Sequence, residues 1–252
     1  RMDFAGVMTV DGVTLLRAGQ PETKPGGGEA PNPVAIASLR TRGVVSGTAI
    51  LTPEELQSEN PDLAERAQIT LIPTPRAHPR TDTAETSGLV IVSAVPVYAD
   101  NTLVCVLYGG VLLNRSSEIV DRVKETVFQN EVYRERSIGT ATVFFKDLRI
   151  ATNVLAEDGS RAIGTRVSSE VYEKVLEEGE RWTDRAFVVN DWYITAYEPI
   201  EDVFGEAVGI LYTGVLEAKY VDIRKNTILT FVLITSTGVL VAIFLGFLLG
   251  QR

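Results

Sequence analysis

Residues Ile228 to Leu249 carry no charged side chain, and this run constrains the chain more than any other feature. At about 1.5 Å per residue a helix of this length crosses a hydrocarbon core of about 30 Å. A buried helix of a water-soluble domain would be shorter and would keep a polar face. Its C-terminal position excludes a signal peptide. We therefore expect a transmembrane helix over 228–249, led by a juxtamembrane helix over 218–227. Lys219, Arg224 and Lys225 precede it and only Arg252 follows, so the charge bias that sets orientation is incomplete. The chain opens at Arg1 within a strand-like run and stops just past the helix, so we expect a piece of a longer protein.

The chain as a whole has the composition of a folded protein, 45% hydrophobic and 23% charged, enough for a sizeable core. The net charge of −9 argues against a nucleic-acid partner, which needs a basic face to neutralise phosphates. Cys105 is the one cysteine, so no intrachain disulfide forms. Its apolar neighbours, Leu103 to Leu107, predict a buried small hydrophobe. His78 is the one histidine and lies in the proline-rich stretch Pro73–Pro79, where it reads as a loop residue. Metal centres and Ser-His-Asp triads need more partners than this. We expect no metal, no cofactor and no catalytic site.

The remaining sequence holds one unit twice. Leu107-Tyr108-Gly109-Gly110-Val111-Leu112 matches Leu211-Tyr212-Thr213-Gly214-Val215-Leu216, and Pro96 matches Pro199 upstream. The fronts match as well. Phe4 to Val10, Asp11-Gly12 and Val13 to Ala18 read as a hairpin, as do Thr142 to Phe145, Lys146-Asp147 and Arg149 to Val154. A helix follows each hairpin, over Pro31 to Arg42 and over Ser168 to Glu178. Ser168 suits the N-cap and Gly179 the end. Strands then follow over Val44 to Leu51 and Leu89 to Tyr98 in the first unit, and over Trp182 to Val189 and Trp192 to Ile200 in the second, where Asn190-Asp191 turns the chain.

The order strand, strand, helix, strand, strand, strand predicts an α+β fold, an antiparallel sheet with flanking helices, built twice. The first unit carries an insert near Thr52 to Ser87, with a helix over Pro53 to Ile69. Gly26-Gly27-Gly28 lacks the strand-to-helix setting of a phosphate loop and reads as spacing. We divide the chain at 1–115, a connecting helix over 116–136, and 137–217.

Val143-Phe-Phe-Lys-Asp-Leu-Arg-Ile-Ala-Thr-Asn153, Gly159 to Thr165, Gly179 to Ala186, Tyr193 to Ile200 and Gly205 to Gly214 together resemble the Cache domains of bacterial sensor kinases and chemoreceptors. The resemblance covers 137–217, and 1–115 looks like a divergent companion. It implies a tandem PAS-like fold that takes small molecules between sheet and helix, outside the cytoplasm. It also implies a helix running into the membrane and on to a HAMP linker. Such tandem domains begin with a long helix, which this sequence lacks.

For a ligand site, strand alternation places Tyr193, Thr195 and Tyr197 on one face. Arg149, Arg161 and Arg185 lie near strand ends or loops, where a guanidinium can clamp a carboxylate. Arg161, flanked by Gly159 and Gly164, is the favoured clamp, and the alternative is binding in the first unit instead, through Arg17, Thr48 or Tyr98. With the apolar helix, the resemblance implies a sensor for a small molecule, a carboxylate among the candidates, working as a homodimer in the bacterial inner membrane. Gly238 and Gly246 allow close helix approach without forming a GxxxG pair. The leading parent is a two-component histidine kinase, followed by a chemoreceptor or a diguanylate cyclase sensor. A membrane-tethered hydrolase lacks a nucleophile–base pair.

Overall fold

The computed structural model describes residues 2–18, 31–189 and 191–250. The Gly26–Gly28 run, Asn190 of the expected turn and Arg252 lie outside the described residues. The first half contains β1 (Phe4–Thr9), β2 (Thr14–Arg17), α1 (Pro33–Thr41), β3 (Val45–Leu51), α2 (Pro53–Glu59), α3 (Pro61–Ala67), β4 (Ile69–Thr70), β5 (Ala84–Glu85), β6 (Gly88–Ala99) and β7 (Thr102–Leu112). Next come α4 (Ser117–Phe128), β8 (Val132–Tyr133), β9 (Arg136–Ser137), β10 (Gly139–Phe145) and β11 (Leu148–Thr152). The chain continues through α5 (Ser169–Tyr172), a π-helical turn (Glu173–Glu177), β12 (Trp182–Val188), β13 (Asp191–Glu201), β14 (Ala207–Leu216) and α6 (Glu217–Gly250).

Two five-stranded antiparallel sheets result, in the orders β2-β1-β7-β6-β3 and β11-β10-β14-β13-β12. Numbered within each half, both read 2-1-5-4-3, so the α+β reading holds and the sequence repeat corresponds to one repeated topology. Both hairpins also carry a register shift at the same place, between Val7 and Met8 and between Val143 and Phe144.

Local chemistry explains where elements start and stop. Asn32 caps α1, its Oδ1 accepting from the Val34 and Ala35 amides. Thr52 and Glu55 form a reciprocal capping box on α2. The single helix expected over Pro53 to Ile69 is instead two, because Pro61 forces Asn60 into extended backbone (φ −166°, ψ 125°). Asn60 then caps α3 by accepting from the Asp62 amide. The helix expected over 116–136 ends at Phe128, where Gln129 and Asn130 take positive φ and the chain turns into the β8–β9 hairpin. Ser168 caps α5 as expected.

Helix α1 covers the inner face of the first sheet around Phe4, Met8, Val92 and Val106. The short α5 and its π turn cover the inner face of the second, with Val171 and Val175 on Phe144, Ile210 and Tyr212. A third cluster joins the halves, packing Leu89 and Leu113 with Val143, Phe145, Leu148 and Val208. Helix α4 adds Val120 to it, so β10 and β11 are buried along their whole length on both faces. Full burial of such a side chain contributes about 1.5–3 kcal/mol. Cys105, expected inside, is half-buried, because strand alternation sends Val106 inward in its place.

Helix α6 follows β14 without a loop. It is long and apolar enough to cross a membrane, and its apolar side chains from Ile228 to Phe247 are exposed, Phe231 at 73%.

Candidate ligand site

The inner face of the second sheet is aromatic and polar at once. On β13, Tyr193, Thr195 and Tyr197 are 5%, 1% and 6% exposed, whereas Trp192 and Ile194 are 45% and 48% exposed. The alternation read from the sequence therefore holds, with the tyrosine face inward. Thr195 is committed to the fold, its hydroxyl donating to the Asp184 carbonyl of β12 at 2.8 Å. Tyr197 has its ring 4.9 Å from Tyr212, 5.5 Å from Trp182 and 6.4 Å from Phe144, centroid to centroid. The Tyr212 hydroxyl and Thr140 Oγ1 share a hydrogen bond of 3.0 Å.

Burial pushes the Tyr197 phenol up to about 12 and moves Tyr193 and Tyr212 in the same direction. All three remain protonated at neutral pH, and Tyr197 has no hydrogen-bond partner among the described residues. Its hydroxyl is an available donor.

Arg149 projects into the same face. The register shift between Val143 and Phe144 sets Arg149 opposite Phe144, and its Cζ lies 5.2 Å from that ring's centroid. The residue is 5% exposed, and Nε and Nη1 are buried with no hydrogen-bond partner among the described residues. No carboxylate faces it there, and burial draws its pKa below the usual guanidinium value. Leaving a buried charge uncompensated is expensive. The Nε–H and Nη1–H groups point to different sides of the guanidinium, so each needs its own acceptor, and an anion reaching either edge would supply one.

The other two arginines go elsewhere. Arg161 grips Asp121 of α4 with both terminal nitrogens, at 2.9 and 2.7 Å, and donates to the Thr152 carbonyl at 2.7 Å. It pins α4 to β11. Arg185 lies on the outer face, 4.1 Å from the Trp192 ring centroid, and its Nε donates to Glu217 Oε2 at 2.6 Å. In the first half, Arg17 is ion-paired with Glu59, the Thr48 carbonyl accepts from the Val203 amide, and the Tyr98 hydroxyl donates to the Arg42 carbonyl. The three do not converge. Sequence reasoning missed Phe144 and Tyr212 as neighbours of Arg149, and Trp182 as a neighbour of Tyr197, although the repeated Leu-Tyr-x-Gly motif had marked Tyr212.

A separate depression of about 400 Å³ lies where the 78–80 loop meets the second sheet. His78 stacks on Tyr172 there at 4.5 Å. Arg80 and Arg166 both donate to buried Asp147, at 2.9 and 2.7 Å, and the Arg80 contact holds Asp82 down at about 2. Each guanidinium already has its carboxylate, so this is a joint. Among the described residues no group of three His, Cys, Asp or Glu side chains is placed to hold a metal.

Residues 111–227 match the family model described as single cache domain 3. That span contains α4, the whole second sheet, Arg149 and the start of α6, and this segment is similar to a Cache domain. Among solved structures, the ligand-binding domain of Mlp24 with asparagine is 13% identical, with a TM-score of 0.37, over 86% of this chain and 69% of that one. The periplasmic domain of Vibrio cholerae LuxQ is 10% identical, with a TM-score of 0.39, over 85% and 72%. The ligand-binding domain of the Pseudomonas aeruginosa amino acid chemoreceptor PctC in complex with GABA is 11% identical, with a TM-score of 0.39, over 85% and 74%. No curated protein sequence matches the chain.

Proposed function

We propose that the chain is the extracytoplasmic sensing region of a membrane-bound bacterial signal transducer, with tandem Cache modules at 1–115 and 137–217. In this reading a small carboxylate enters the second module and pairs with Arg149. The observation that carries it is the buried Arg149 guanidinium, whose Nε and Nη1 have no partner among the described residues, near the protonated Tyr197 hydroxyl. The Cache match of the surrounding segment supports it, and so does the direct passage of β14 into the apolar α6. Signalling requires that the ligand bind two conformations unequally. Tyr212 is on β14, so an anion at Arg149 acts on the strand that leads into the membrane helix.

The parent's output is read as a histidine kinase, the chain acting as a homodimer. The sequence beyond Arg252 tests this, by carrying either a phosphoacceptor histidine and ATP-binding domain or a long methylated coiled coil. The ligand reading is tested by thermal unfolding of the chain in detergent against a panel of organic acids and amino acids. At 100 times its dissociation constant a ligand adds about 2.7 kcal/mol. The expected result is stabilisation by carboxylates that disappears in Arg149→Met. Stabilisation that survives this substitution, or no response to any acid by the folded chain, overturns the reading.

A further inference from the structure

In the first half of the chain a glutamate, Glu59, is buried among polar side chains. Arg17 is 2% exposed and Glu59 1%, with Arg17 Nε 3.5 Å from Glu59 Oε2. The Tyr108 hydroxyl donates to the same oxygen at 3.2 Å. Asn32 Nδ2 donates to Oε1 at 3.3 Å. A cation, a phenol and an amide thus converge on one buried carboxylate. Burial and the neighbouring Glu59 raise the Tyr108 pKa, which keeps the phenol protonated as a donor.

The three groups come from the shared architecture. Arg17 is on β2, Tyr108 on β7 and Asn32 caps α1. Gly6 pairs with both Arg17 and Tyr108 across the sheet, so the three form one row. The absent side chain at Gly6 opens that row, since a Cβ there would overlap the Tyr108 hydroxyl. In the second module the matching row is Thr152, Thr142 and Tyr212, and the threonine hydroxyls bond each other at 2.6 Å. The guanidinium has moved one inward-facing row along the same strand, to Arg149 opposite Phe144.

The carboxylate alone has a different origin. Glu59 ends α2, which belongs to the 52–87 insert. In the second module β12, the counterpart of β3, runs to β13 without such an insert, and Arg149 has no acid partner among the described residues.

We infer that Glu59 is a tethered ligand: the first module is a small-carboxylate site kept occupied by its own chain, which leaves the second module as the one open to external carboxylates. Removing the Glu59 side chain then creates a cavity that keeps its donors and takes acetate or formate from solution. The occupancy of the first module concerns Arg17 rather than Arg149 and is tested separately, while the openness of the second module rests on the ligand reading above.

The test is thermal unfolding of the full chain in detergent, in an Arg149→Met background that silences the second module. Glu59→Ala is compared with Glu59 intact, in sodium acetate, in sodium formate and in sodium chloride of equal ionic strength. The expected result is a lower Tm for the alanine variant, raised saturably by acetate or formate by about 4 °C or more. Chains with Glu59 respond to these salts no more than to chloride. If the alanine variant does not fold in chloride, refolding in acetate is expected to recover it. Glu59→Gln, whose amide fills the same space, is expected to lose stability and show no acetate response. Failure of acetate and formate to stabilise or recover Glu59→Ala beyond chloride makes Glu59 a structural brace and overturns the inference.

Discussion

The Arg149 guanidinium lies over the Phe144 ring, 5.2 Å from Cζ to centroid, and this ring is the close partner the described structure gives it. A cation–π contact offsets part of the desolvation of a buried charge, on the order of 2 kcal/mol when water is excluded. The remaining cost is carried by the unliganded protein. Arg149→Met is therefore expected to raise the stability of the unliganded chain by about 1–3 kcal/mol. The same substitution should weaken carboxylate binding about 10- to 100-fold, the loss of a charge-assisted pair. Urea unfolding and calorimetric titration read the two effects, and a loss of stability without ligand would contradict the first.

Arg161 leads to the opposite expectation. Its guanidinium is spent on Asp121 and the Thr152 carbonyl at a half-exposed seam. Arg161→Ala should leave carboxylate affinity within twofold and cost about 1 kcal/mol or less. Titration of the variant with any acid that stabilises the chain checks this, and a tenfold loss of affinity would place Arg161 in the site.

Alkaline pH should unfold the chain early. Folded Tyr197 holds its proton to about 12, while a free tyrosine loses it near 10.0. Rising pH therefore deprotonates the unfolded chain first, and stability present below pH 10 is lost between 10 and 12. Tyr193, Tyr212 and Tyr108 are shifted in the same direction and steepen the fall. Each pKa unit corresponds to about 1.4 kcal/mol. Urea midpoints across this range, with phenolate absorbance followed in parallel, measure the effect. Tyr197→Phe should make the decline shallower.

The Arg185–Glu217 pair ties β12 to the first residue of α6, with Trp192 beneath the guanidinium. Because the pair is exposed, Arg185→Ala should change global stability by less than about 1 kcal/mol. Its expected effect is local, namely faster hydrogen exchange over residues 217–222. Unchanged exchange there would show that the pair does not restrain the helix start.

Gly214 sits beneath the Tyr212 hydroxyl, and a Cβ there would overlap it. Gly214→Ala should displace Tyr212 from Thr140 and cost about 1–3 kcal/mol, as overpacking does. Chemical denaturation measures this, and a neutral result would mean that β14 yields without cost.

The repeat and the strand alternation made the fold legible. Leu107–Leu112 and Leu211–Leu216 stand in equivalent central strands, and Tyr193, Thr195 and Tyr197 share the inward face. The breaks were harder to place. Pro61 splits one expected helix, while Gln129 and Asn130 end another through backbone conformations that a composition of good helix formers does not reveal. The site was legible only in part. Arg149, Arg161 and Arg185 have the same chemistry in sequence, and their partners are 5, 40 and 32 residues away.

The sequence by itself determined the apolar helix, the doubled antiparallel topology and the period-two faces, because each follows from local spacing and the geometry of one strand or helix. Only the tertiary structure decided which arginine is buried without an acid and which is neutralised from within. That outcome depends on long-range placement. Glu59 reaches Arg17 from the insert and Asp121 reaches Arg161 from α4, whereas Arg149 is buried on the second sheet where no carboxylate of the described residues reaches it.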